Sequence, residues 1–403
     1  MKKLVVLVAG LLSVALFAQA EETQNTKENT FSMKVQIRPR AEYRNGVLFP
    51  RPKDAESTGF INNRARFSLG YERDRLSIGL SAQHVGVWGQ DPQIDKNGRF
   101  ILNEAWAKLD FGSGFFAKLG RQSLVYDDER IMGALDWNVA GRYHDALKLG
   151  YENTNNQLHL ILAFNQNDEK TIGGTYYAPG AQPYKTMQTL WYKHLFDKSF
   201  NASFLFMNLG MEGGDAEKQN SDTKYLQTLG TNLIYTPSHW MVGGMFYYQF
   251  GKTKSGRDVS AFLWAVNAAY QIDPQWKIGV GSDYLSGSDG ADGKYKAFDP
   301  LYGTHHKFYG AMDYFYASSF VNGLNPGLWD NQVNVAYKPS SKVNLSLAYH
   351  YFSITGDVYE GNDKLSKGLG SELDFQVDWV IMKDVKLSAG YSTTVSYTHL
   401  RAH

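Results

Sequence analysis

The stretch FSMKVQIRPRAEYRN, residues 31–45, alternates between apolar and polar side chains with a period of two. One parity carries the apolar set, Phe31, Met33, Val35, Ile37, Pro39, Ala41 and Tyr43. The other parity carries the polar and charged set, Ser32, Lys34, Gln36, Arg38, Arg40, Glu42 and Arg44. Successive side chains of a β-strand point to opposite faces of the sheet. The stretch therefore predicts a strand with one apolar face and one charged face.

The same alternation recurs along most of the chain. In residues 61–72 the apolar parity includes Phe67 and Leu69, and the opposite parity includes Arg64 and Arg66. Further alternating runs are residues 76–83, 200–208, 230–236, 276–285, 331–338, 343–352, 370–381 and 385–393. Their second face is small and polar, which the dry core of a soluble sandwich would not accept, because buried polar groups without partners are costly.

The connections between these runs alternate between short and long. The short ones are residues 72–75, 111–114, 153–157, 196–199, 236–239, 272–275, 338–342 and 382–385. The long ones are residues 45–60, 86–100, 123–142, 165–183, 209–223, 286–328 and 353–368. Short turns at one rim and long loops at the other are typical of bacterial outer-membrane barrels. A soluble all-β sandwich or solenoid, the alternative fold, does not require this rhythm.

Aromatic side chains cluster at the ends of the runs, where a membrane–water interface accommodates them. They are Trp240, Tyr247, Tyr248, Trp276, Tyr349, Tyr351, Trp379 and Tyr391. The sequence therefore predicts an all-β fold, a transmembrane antiparallel up-and-down β-barrel of about 18 strands. The runs number roughly 17, and bacterial barrels close with an even number, so we expect the last strand to be missing from this sequence.

The two ends of the chain predict segments outside the barrel. Residues 1–20 combine two lysines, an apolar run and an Ala-Gln-Ala site, which predicts a secretory signal peptide. The apolar run is too short for a membrane anchor. Residues 21–30 predict a flexible periplasmic lead, and residues 31–393 the barrel. Residues 394–403 are expected to be an unrelated tail, an artefact outside the family-like sequence.

The composition narrows the classes of function. Removing the leader with its two lysines changes the formal net charge from +1 to −1, so the chain lacks the basic footprint of a nucleic-acid-binding protein. There is no cysteine, which excludes disulfides and thiol catalysis. Aromatic residues make up 14% of the chain and there are 39 glycines, a composition that favours strands and turns.

If the apolar parity faces lipid, the polar parity lines a water-filled lumen. The first two runs then bring basic residues into that lumen: Lys34, Arg38, Arg40, Arg44, Arg64 and Arg66. Such stacked charges require acids or an anionic passenger, and Glu42, Glu72 and Glu104 are candidate acids. Acidic residues also lie on the polar face of one late run, residues 370–381, so the lumen is expected to carry both positive and negative charges. Rings of Arg and Lys are typical of anion pathways, and Arg binds carboxylates bidentately.

Four blocks of sequence resemble the alginate-export family of outer-membrane barrels. They are RPRAEYRN (38–45), NNRARFSLGY (62–71), GRQSLVYDDERIMGALDWNVAGRYHDALKLGY (120–151) and FDPLYGTHHKFYGAMDYF (298–315). The block at 120–151 is the most specific. The resemblance implies an 18-stranded monomeric barrel whose electropositive constriction passes an anionic polyuronate across the outer membrane.

Pattern and resemblance together imply a set of site residues. The basic pore-lining candidates are Arg38, Arg40, Arg64, Arg66, Arg121, Arg130, Arg142 and Lys148. The candidate pore acids are Glu42, Glu104, Asp127, Asp128, Glu129 and Asp145. The alternative role for Arg121 is a structural salt bridge. The alternative for the first four arginines is a lumenal network with acids that only stiffens the barrel. Residues 126–133 are expected in a long loop or at a strand rim. An inward fold of this segment, as a constriction or a plug, is an open alternative.

The sequence predicts a passive channel for anionic polysaccharide or oligosaccharide in the outer membrane of a Gram-negative bacterium, with alginate-like polyuronate the leading passenger. A nutrient-importing porin and a non-conducting adhesin remain alternatives. The expected partners are that polymer, outer-membrane lipid and periplasmic delivery proteins, and not nucleic acid. No enzyme is predicted, because the only candidate catalytic cluster, His305, His306, Asp299 and Asp313, lacks a nucleophile signature. No cofactor or metal is predicted, because the sequence has no Gly-rich phosphate loop and no metal-ligand spacing.

Overall fold

The computed structural model describes residues 29–46, 54–90, 100–166, 169, 184–212, 222–288, 293–317 and 325–396. The predicted signal peptide, most of the predicted lead and residues 397–403 of the predicted tail lie outside the described residues. Nearly all regular structure is strand. The helical elements are a 3-10 turn at His305–Lys307 and α1 at Tyr314–Ala317. Within the described part of the chain, no helix is long and apolar enough to cross a membrane.

The described residues contain nineteen strands, which follow one another in sequence. They are β1 (Thr30–Arg44), β2 (Thr58–Arg73), β3 (Leu76–Val87), β4 (Phe100–Gly112), β5 (Phe115–Gln122), β6 (His144–Glu152), β7 (Asn156–Phe164), β8 (Thr186–Leu195), β9 (Phe200–Glu212), β10 (Thr223–Tyr235), β11 (Trp240–Lys252), β12 (Asp258–Gln271), β13 (Trp276–Leu285), β14 (Leu328–Ser340), β15 (Val343–Ser353), β16 (Tyr359–Glu360), β17 (Asp363–Lys364), β18 (Gly368–Met382) and β19 (Val385–Ser396). β16 and β17 form a small hairpin, and the other strands form one sheet of 17.

Every strand of the large sheet pairs antiparallel with its neighbour in sequence, from β1 through β15 and then β18 and β19. This confirms the predicted up-and-down architecture. β19 extends three residues past the predicted barrel boundary at 393, because Thr394, Val395 and Ser396 pair through their backbones with β18. Backbone pairing does not depend on the apolar alternation that fades in this stretch.

The apolar parity of the strands lies on the outer face. Phe31, Met33 and Ile37 of β1 are each 66% exposed, whereas Arg38 and Arg40 on the other parity are partly buried. The same outward apolar pattern continues across the sheet to β13 and beyond, with Val280 and Val333 both 53% exposed. An outward apolar band is the surface that a lipid bilayer covers.

Two long connections fold inward rather than away from the sheet. The first inner segment, residues 123–143, joins β5 to β6, and the second inner segment, residues 293–317, lies between β13 and β14. Their buried apolar side chains join one core with inward side chains of β8 to β13. The core includes Tyr126, Ile131, Met132, Phe298, Tyr302, Met187, Trp191, Leu205, Met207, Met245, Tyr247 and Leu263. The alternation predicted an inner face that is polar throughout. The structure differs, because one side of the inner face is covered by a packed apolar core.

The two inner segments are joined to each other. The Gly133 N–H donates to the Tyr302 carbonyl at 2.9 Å, and the Tyr302 N–H donates to the Ile131 carbonyl at 3.0 Å. The Thr304 N–H also donates to the Glu129 carbonyl at 2.8 Å. These bonds satisfy backbone groups that the barrel wall does not reach. The segments consequently act as a single body inside the barrel.

Candidate functional site

Pairing of β1 with β2 brings three arginines together on the inner face. Arg38 lies directly opposite Arg64, and Gln36 lies opposite Arg66. Side chains that face each other across antiparallel strands have their Cβ atoms about 4.5–5.5 Å apart, and like charges at that spacing are destabilising. The cluster therefore requires a counter-charge or hydrogen-bond acceptors from elsewhere in the fold.

Asp136 of the first inner segment supplies that counter-charge. Its carboxylate lies 2.9 Å from Arg64 Nη1 and 3.4 Å from Arg38 Nη1. Arg38 also donates to the carbonyl oxygens of Asp136, at 2.6 Å, and Asn138, at 3.1 Å. The Arg64 side chain is 1% exposed, whereas that of Asp136 is 63% exposed. The sequence analysis missed Asp136, although it lies within the family-like block at 120–151.

Arg40 connects the strand wall to both inner segments. It forms an ion pair with Glu42 at 2.7 Å and donates to the Trp137 carbonyl at 2.8 Å. Its guanidinium lies over the Trp137 ring, 4.2 Å from the centroid, and Trp137 in turn stacks on His306 of the second inner segment at 3.9 Å. Glu42 also accepts from Arg44 at 2.6 Å. Glu42 thus serves as a structural acid between two arginines.

Arg66 has neutral partners. It donates to Gln83 Oε1 at 2.8 Å and to Asn103 Oδ1 at 3.3 Å. Gln83 itself donates to the Ala140 carbonyl of the first inner segment at 2.7 Å. Among the described residues, no carboxylate lies within 4.0 Å of the Arg66 guanidinium. The positive charge of Arg66 therefore remains available to an anion in the lumen.

Arg130 is an anchor within the inner body. It is 3% exposed and forms ion pairs at 2.8 Å with Asp128 and with Asp283 of β13. Its guanidinium lies 3.8 Å from the centroid of the Phe308 ring. Burial on its own lowers the pKa of Arg130, but the charges of Asp283 and Asp128 outweigh burial and raise it. Arg130 is therefore a buried ion-pairing residue of the inner core and does not line the open lumen.

The predicted acids of the first inner segment also have structural partners. Asp127 accepts from Ser203 Oγ at 2.6 Å and from Trp191 Nε1 at 3.2 Å, and burial raises its pKa. Glu129 accepts from Thr304 Oγ1 at 2.8 Å, which ties the two inner segments together. Glu104 of β4 accepts the Ser123 N–H at 2.9 Å, where the first inner segment leaves β5.

Three predicted basic residues lie apart from the arginine cluster. Arg142 donates to the Gly303 carbonyl at 2.9 Å and so bridges the inner segments. Lys148 lies on the inner face of β6, near the short-turn rim. Arg121 makes a two-pronged ion pair with Asp145, at 2.9 and 3.0 Å.

Arg121 and Asp145 share the outward parity of their strands with the exposed Leu119. The prediction of a pore-facing Arg121 assumed a bend at Gly120, which would have turned the next side chain inward. Gly120 does adopt a φ of 119°, but it still pairs in register with Ala146, and Arg121 with Asp145. The alternation therefore carries through, and both charged side chains lie outside the lumen.

A second charged group on the inner face is acidic. His350 lies 2.9 Å from Asp330 and 3.7 Å from Asp374, and all three side chains are largely buried. Glu372 accepts the Met312 N–H at 2.8 Å, and Asp374 accepts the Ala311 N–H at 3.2 Å. These carboxylates hold the second inner segment. The lumen is thus basic along β1 and β2 and acidic along β13 to β18.

The candidate catalytic cluster is divided by its hydrogen bonds. His306 pairs with Asp313 at 2.8 Å, while His305 contacts the Tyr316 hydroxyl at 2.8 Å. Asp299 accepts the Leu301 N–H at 2.9 Å and does not reach either histidine through the bonds described. A nucleophile, a base and an orienting group are therefore not assembled in these residues.

Solved structures with the same fold are outer-membrane porins. OpdK of Pseudomonas aeruginosa, solved with vanillate, matches with a TM-score of 0.60 at 9% identity over 93% of this chain and 95% of that one. OccAB4 of Acinetobacter baumannii matches with a TM-score of 0.58 at 12% identity over 92% and 99%. A BenF-like porin from Pseudomonas fluorescens matches with a TM-score of 0.59 at 13% identity over 92% and 94%. At these identities the likeness concerns the fold.

Sequence comparison identifies the family. No curated protein is significantly similar in sequence to this chain. The family model described as "Alginate export" matches residues 32–396, which include all strands of the sheet. Fold and family together place the protein in the outer membrane of a Gram-negative bacterium, as a porin-like channel. The chain belongs to the alginate-export family.

Proposed function

We propose that this channel passes an anionic polysaccharide or oligosaccharide, with export of an alginate-like polyuronate as its leading role. One observation carries the proposal: Arg38, Arg64 and Arg66 meet on the inner face, and the carboxylate that neutralises two of them comes from an inner segment. The arginine cluster is thus built to hold a carboxylate. We include in the proposal a monomeric barrel that receives its polymer from periplasmic delivery proteins.

Exchange of carboxylates is the mechanism that this geometry supports. Asp136 is 63% exposed, so a uronate carboxylate from the passing polymer can approach the same guanidinium groups and take its place. Each sugar of a polyuronate carries one carboxylate, so the next sugar offers the same group when the first one leaves. Arg38 and Arg64 are held by further contacts and by burial, which keeps the planar donors oriented between one carboxylate and the next.

The charge distribution also favours anions over cations at this wall. Arg66 retains an unpaired charge in a lumen bounded by low-dielectric walls, and such walls focus the field on the open water. The buried acids of β14 and β18 are occupied by the second inner segment and by His350. Apart from the exposed Asp136, the acids described here have structural partners, whereas Arg66 has no carboxylate partner.

Uptake of small organic anions is the second candidate. The inner segments fill part of the lumen with a packed core, which narrows the path and favours small solutes. OpdK, which shares the fold, was solved with vanillate, a small aromatic carboxylate. Polymer export and small-anion uptake both use the arginine cluster, but they differ in the size of the passenger.

Ion selectivity and current block in planar bilayers test the proposal. We expect anion-selective current that a uronate oligosaccharide blocks and a neutral oligosaccharide of equal length does not. Permeation of monocarboxylates without any interaction with the oligosaccharide favours small-anion uptake. Cation selectivity contradicts both candidates, and the absence of current favours a non-conducting surface protein.

A combined variant assigns the selectivity to the cluster. Replacing Arg38, Arg40, Arg64 and Arg66 with Gln should weaken the anion preference. The matched control replaces the outward pair, Arg121→Gln with Asp145→Asn, and should leave selectivity unchanged because this pair lies outside the lumen. Equal selectivity in the cluster variant and the wild type would mean that the four arginines only stiffen the barrel.

A further inference from the structure

Three lysines form a row across the inner face of neighbouring strands. Lys108 of β4 lies directly opposite Lys118 of β5, and Lys118 lies directly opposite Lys148 of β6. Each is three or four residues from the nearest short turn, so the row lies roughly 10–13 Å along the strands from the short-turn rim. Arg64 is nine residues from the β2–β3 turn, roughly 30 Å along its strand. The lysine row and the arginine cluster therefore lie at different depths.

The charges of the lysine row are not matched by acids. Among the described residues, no carboxylate lies within 4.0 Å of any of the three ammonium groups. The carboxylates that act on them from farther away are Glu104 and Glu152. Glu104 already accepts the Ser123 N–H, and Glu152 lies 2.8 Å from His159 Nε2. Like charges directly opposite each other across a sheet are destabilising, so an anion from the lumen would stabilise the row.

Aromatic rings lie beside the ammonium groups. Lys118 Nζ is 3.6 Å from the centroid of the Trp106 ring, and Lys108 Nζ is 4.2 Å from that of Phe116. A Cβ at Gly150 would collide with the Phe116 ring, so this glycine makes room for the ring on the inner face. Cation–π contacts stabilise an ammonium group without neutralising its charge. The rings thus hold the lysines in place and leave them able to bind an anion.

A cavity extends the row toward a fourth lysine. Its volume is about 350 Å³, and its lining includes two lysines, Lys148 and Lys193, one acid, Asp127, and also Gln157, His159 and Trp191. Lys193 of β8 lies opposite Gln157 of β7 and shares the inward parity of Trp191. A volume of this size falls at the lower end of the range for small-ligand sites. The lysine row therefore continues into a recess with room for part of a ligand.

We propose that the lysine row and this cavity form a docking site for the carboxylates of acidic sugars at the short-turn mouth of the lumen. This inference rests on the proposed function and adds a second site, ahead of the arginine cluster. Sugar carboxylates meet the ammonium groups, and the apolar faces of the sugar rings meet Trp106 and Phe116. Lysine is a compact charge on a flexible stem, which suits brief contacts that a moving polymer must leave again.

The decisive variant carries Lys108→Gln, Lys118→Gln and Lys148→Gln in the full chain. A uronate hexasaccharide is added on the short-turn side of a planar bilayer, and the half-blocking concentration is measured. We expect it to rise about tenfold, since a hydrogen bond to a charged group contributes about 1.5–3 kcal/mol and a tenfold change corresponds to about 1.4 kcal/mol. An unchanged half-blocking concentration overturns the inference.

A matched control removes three lysines elsewhere on the same rim, Lys198→Gln, Lys338→Gln and Lys342→Gln. These side chains are exposed on short turns. We expect a change of less than twofold, because the control removes the same net charge but leaves the row intact. An equal rise in both variants attributes the effect to the general charge of the rim and overturns the docking site.

Direct binding separates this inference from the proposed function. Titration calorimetry of the detergent-solubilised barrel with glucuronate and with the hexasaccharide should show binding that the row variant weakens. Binding of glucuronate that depends on the row, without any block by the hexasaccharide, keeps the anion site and contradicts polymer transport. If the hexasaccharide block is lost in the arginine variant but not in the row variant, the result supports the proposed function and contradicts the docking site at the lysine row. Heat-modified electrophoretic mobility checks that the row variant is folded.

Discussion

Asp136 sets how much of the arginine charge the lumen presents. Its carboxylate is shared between Arg38 and Arg64, which come from adjacent strands. Asp136 is a structural counter-ion, and under the proposed mechanism it competes with the passenger for the two guanidinium groups. Its exposure distinguishes it from Asp283, which pairs with Arg130 at almost no exposure. Under the proposed mechanism, the exposed carboxylate of Asp136 can be exchanged for that of a passenger, and the buried carboxylate of Asp283 cannot.

The substitution Asp136→Asn should increase anion selectivity. The amide keeps the size of the side chain but removes the charge that neutralises two guanidinium groups. One charge at a partly solvated site is worth about 1 kcal/mol, or roughly a fivefold change in the ratio of anion to cation permeability. Reversal potentials in a salt gradient measure this ratio. Asp363→Asn in the small hairpin is the control, and a ratio in the Asp136 variant at or below wild type contradicts the exchange mechanism.

The substitution Arg130→Met should destabilise the protein strongly. It leaves the buried Asp283 and the partly buried Asp128 without their counter-charge, and breaking a buried ion pair in this way costs about 3–5 kcal/mol. Urea unfolding in lipid vesicles measures the free energy of unfolding. Arg257→Met removes an exposed arginine and should cost less than about 1 kcal/mol. A similar small cost at Arg130 would show that the inner body does not depend on this pair.

At the scale of elements, the inner body is held by contacts from several strands. The first inner segment reaches β1 and β2 through Asp136, and the second reaches β18 through Met312 and Ala311. The segments also bind each other through Glu129 and Thr304. Each contact crosses a long distance in sequence, so the inner body forms only when the barrel has brought these strands together.

Acid should loosen the second inner segment through His305. Burial lowers the pKa of His305 to about 4, from an ordinary value near 6.5. The unfolded or released segment therefore binds the proton more readily, and the stability of the packed segment is lost as pH falls from about 6.5 to about 4. We expect the single-channel conductance to rise over this interval.

The variant His305→Asn provides the control for this pH dependence. Asn cannot take up the proton, so the part of the conductance change that occurs between about pH 6.5 and 4 should disappear. The carboxylates of β14 and β18 titrate in both proteins and therefore cancel in the comparison. An identical pH profile in the variant and the wild type rules out His305 as the titrating group.

At the scale of the whole molecule, the outer face determines where the protein resides. Its apolar side chains are exposed from β1 to β19, and Trp276 lies where β13 meets the short-turn rim. A soluble protein could not maintain a band of this extent, because large apolar patches lead to association. The lipid of the outer membrane therefore stabilises the barrel by covering its apolar outer face.

The substitution Val280→Arg should destabilise the barrel in lipid by about 2–4 kcal/mol, the cost of a charged side chain near the bilayer midplane. Val280 lies near the middle of β13 and is 53% exposed on the outer face. Urea unfolding in vesicles measures the effect, with Val280→Leu as the control. A negligible cost for the arginine variant would place Val280 outside the hydrocarbon layer.

The sequence by itself determined the strands, their two faces and the rim at which the turns are short. Period-two alternation is a local property, because consecutive side chains of an extended chain must point to opposite sides. It was sufficient to place Arg38 and Arg64 on the inner face and Phe31 and Ile37 on the outer face. The family-like blocks were also readable from the sequence alone.

Only the tertiary structure decided which partners these side chains take. Asp136 is 98 residues from Arg38 in sequence, and nothing local marks it as a counter-ion. The outward orientation of the Arg121 side chain depends on the strand register continuing past Gly120. The lysine row depends on which residues of β4, β5 and β6 lie opposite one another. Register, inward folding and ion pairing all join distant parts of the chain, so their energies are set by the assembled sheet rather than by any single stretch.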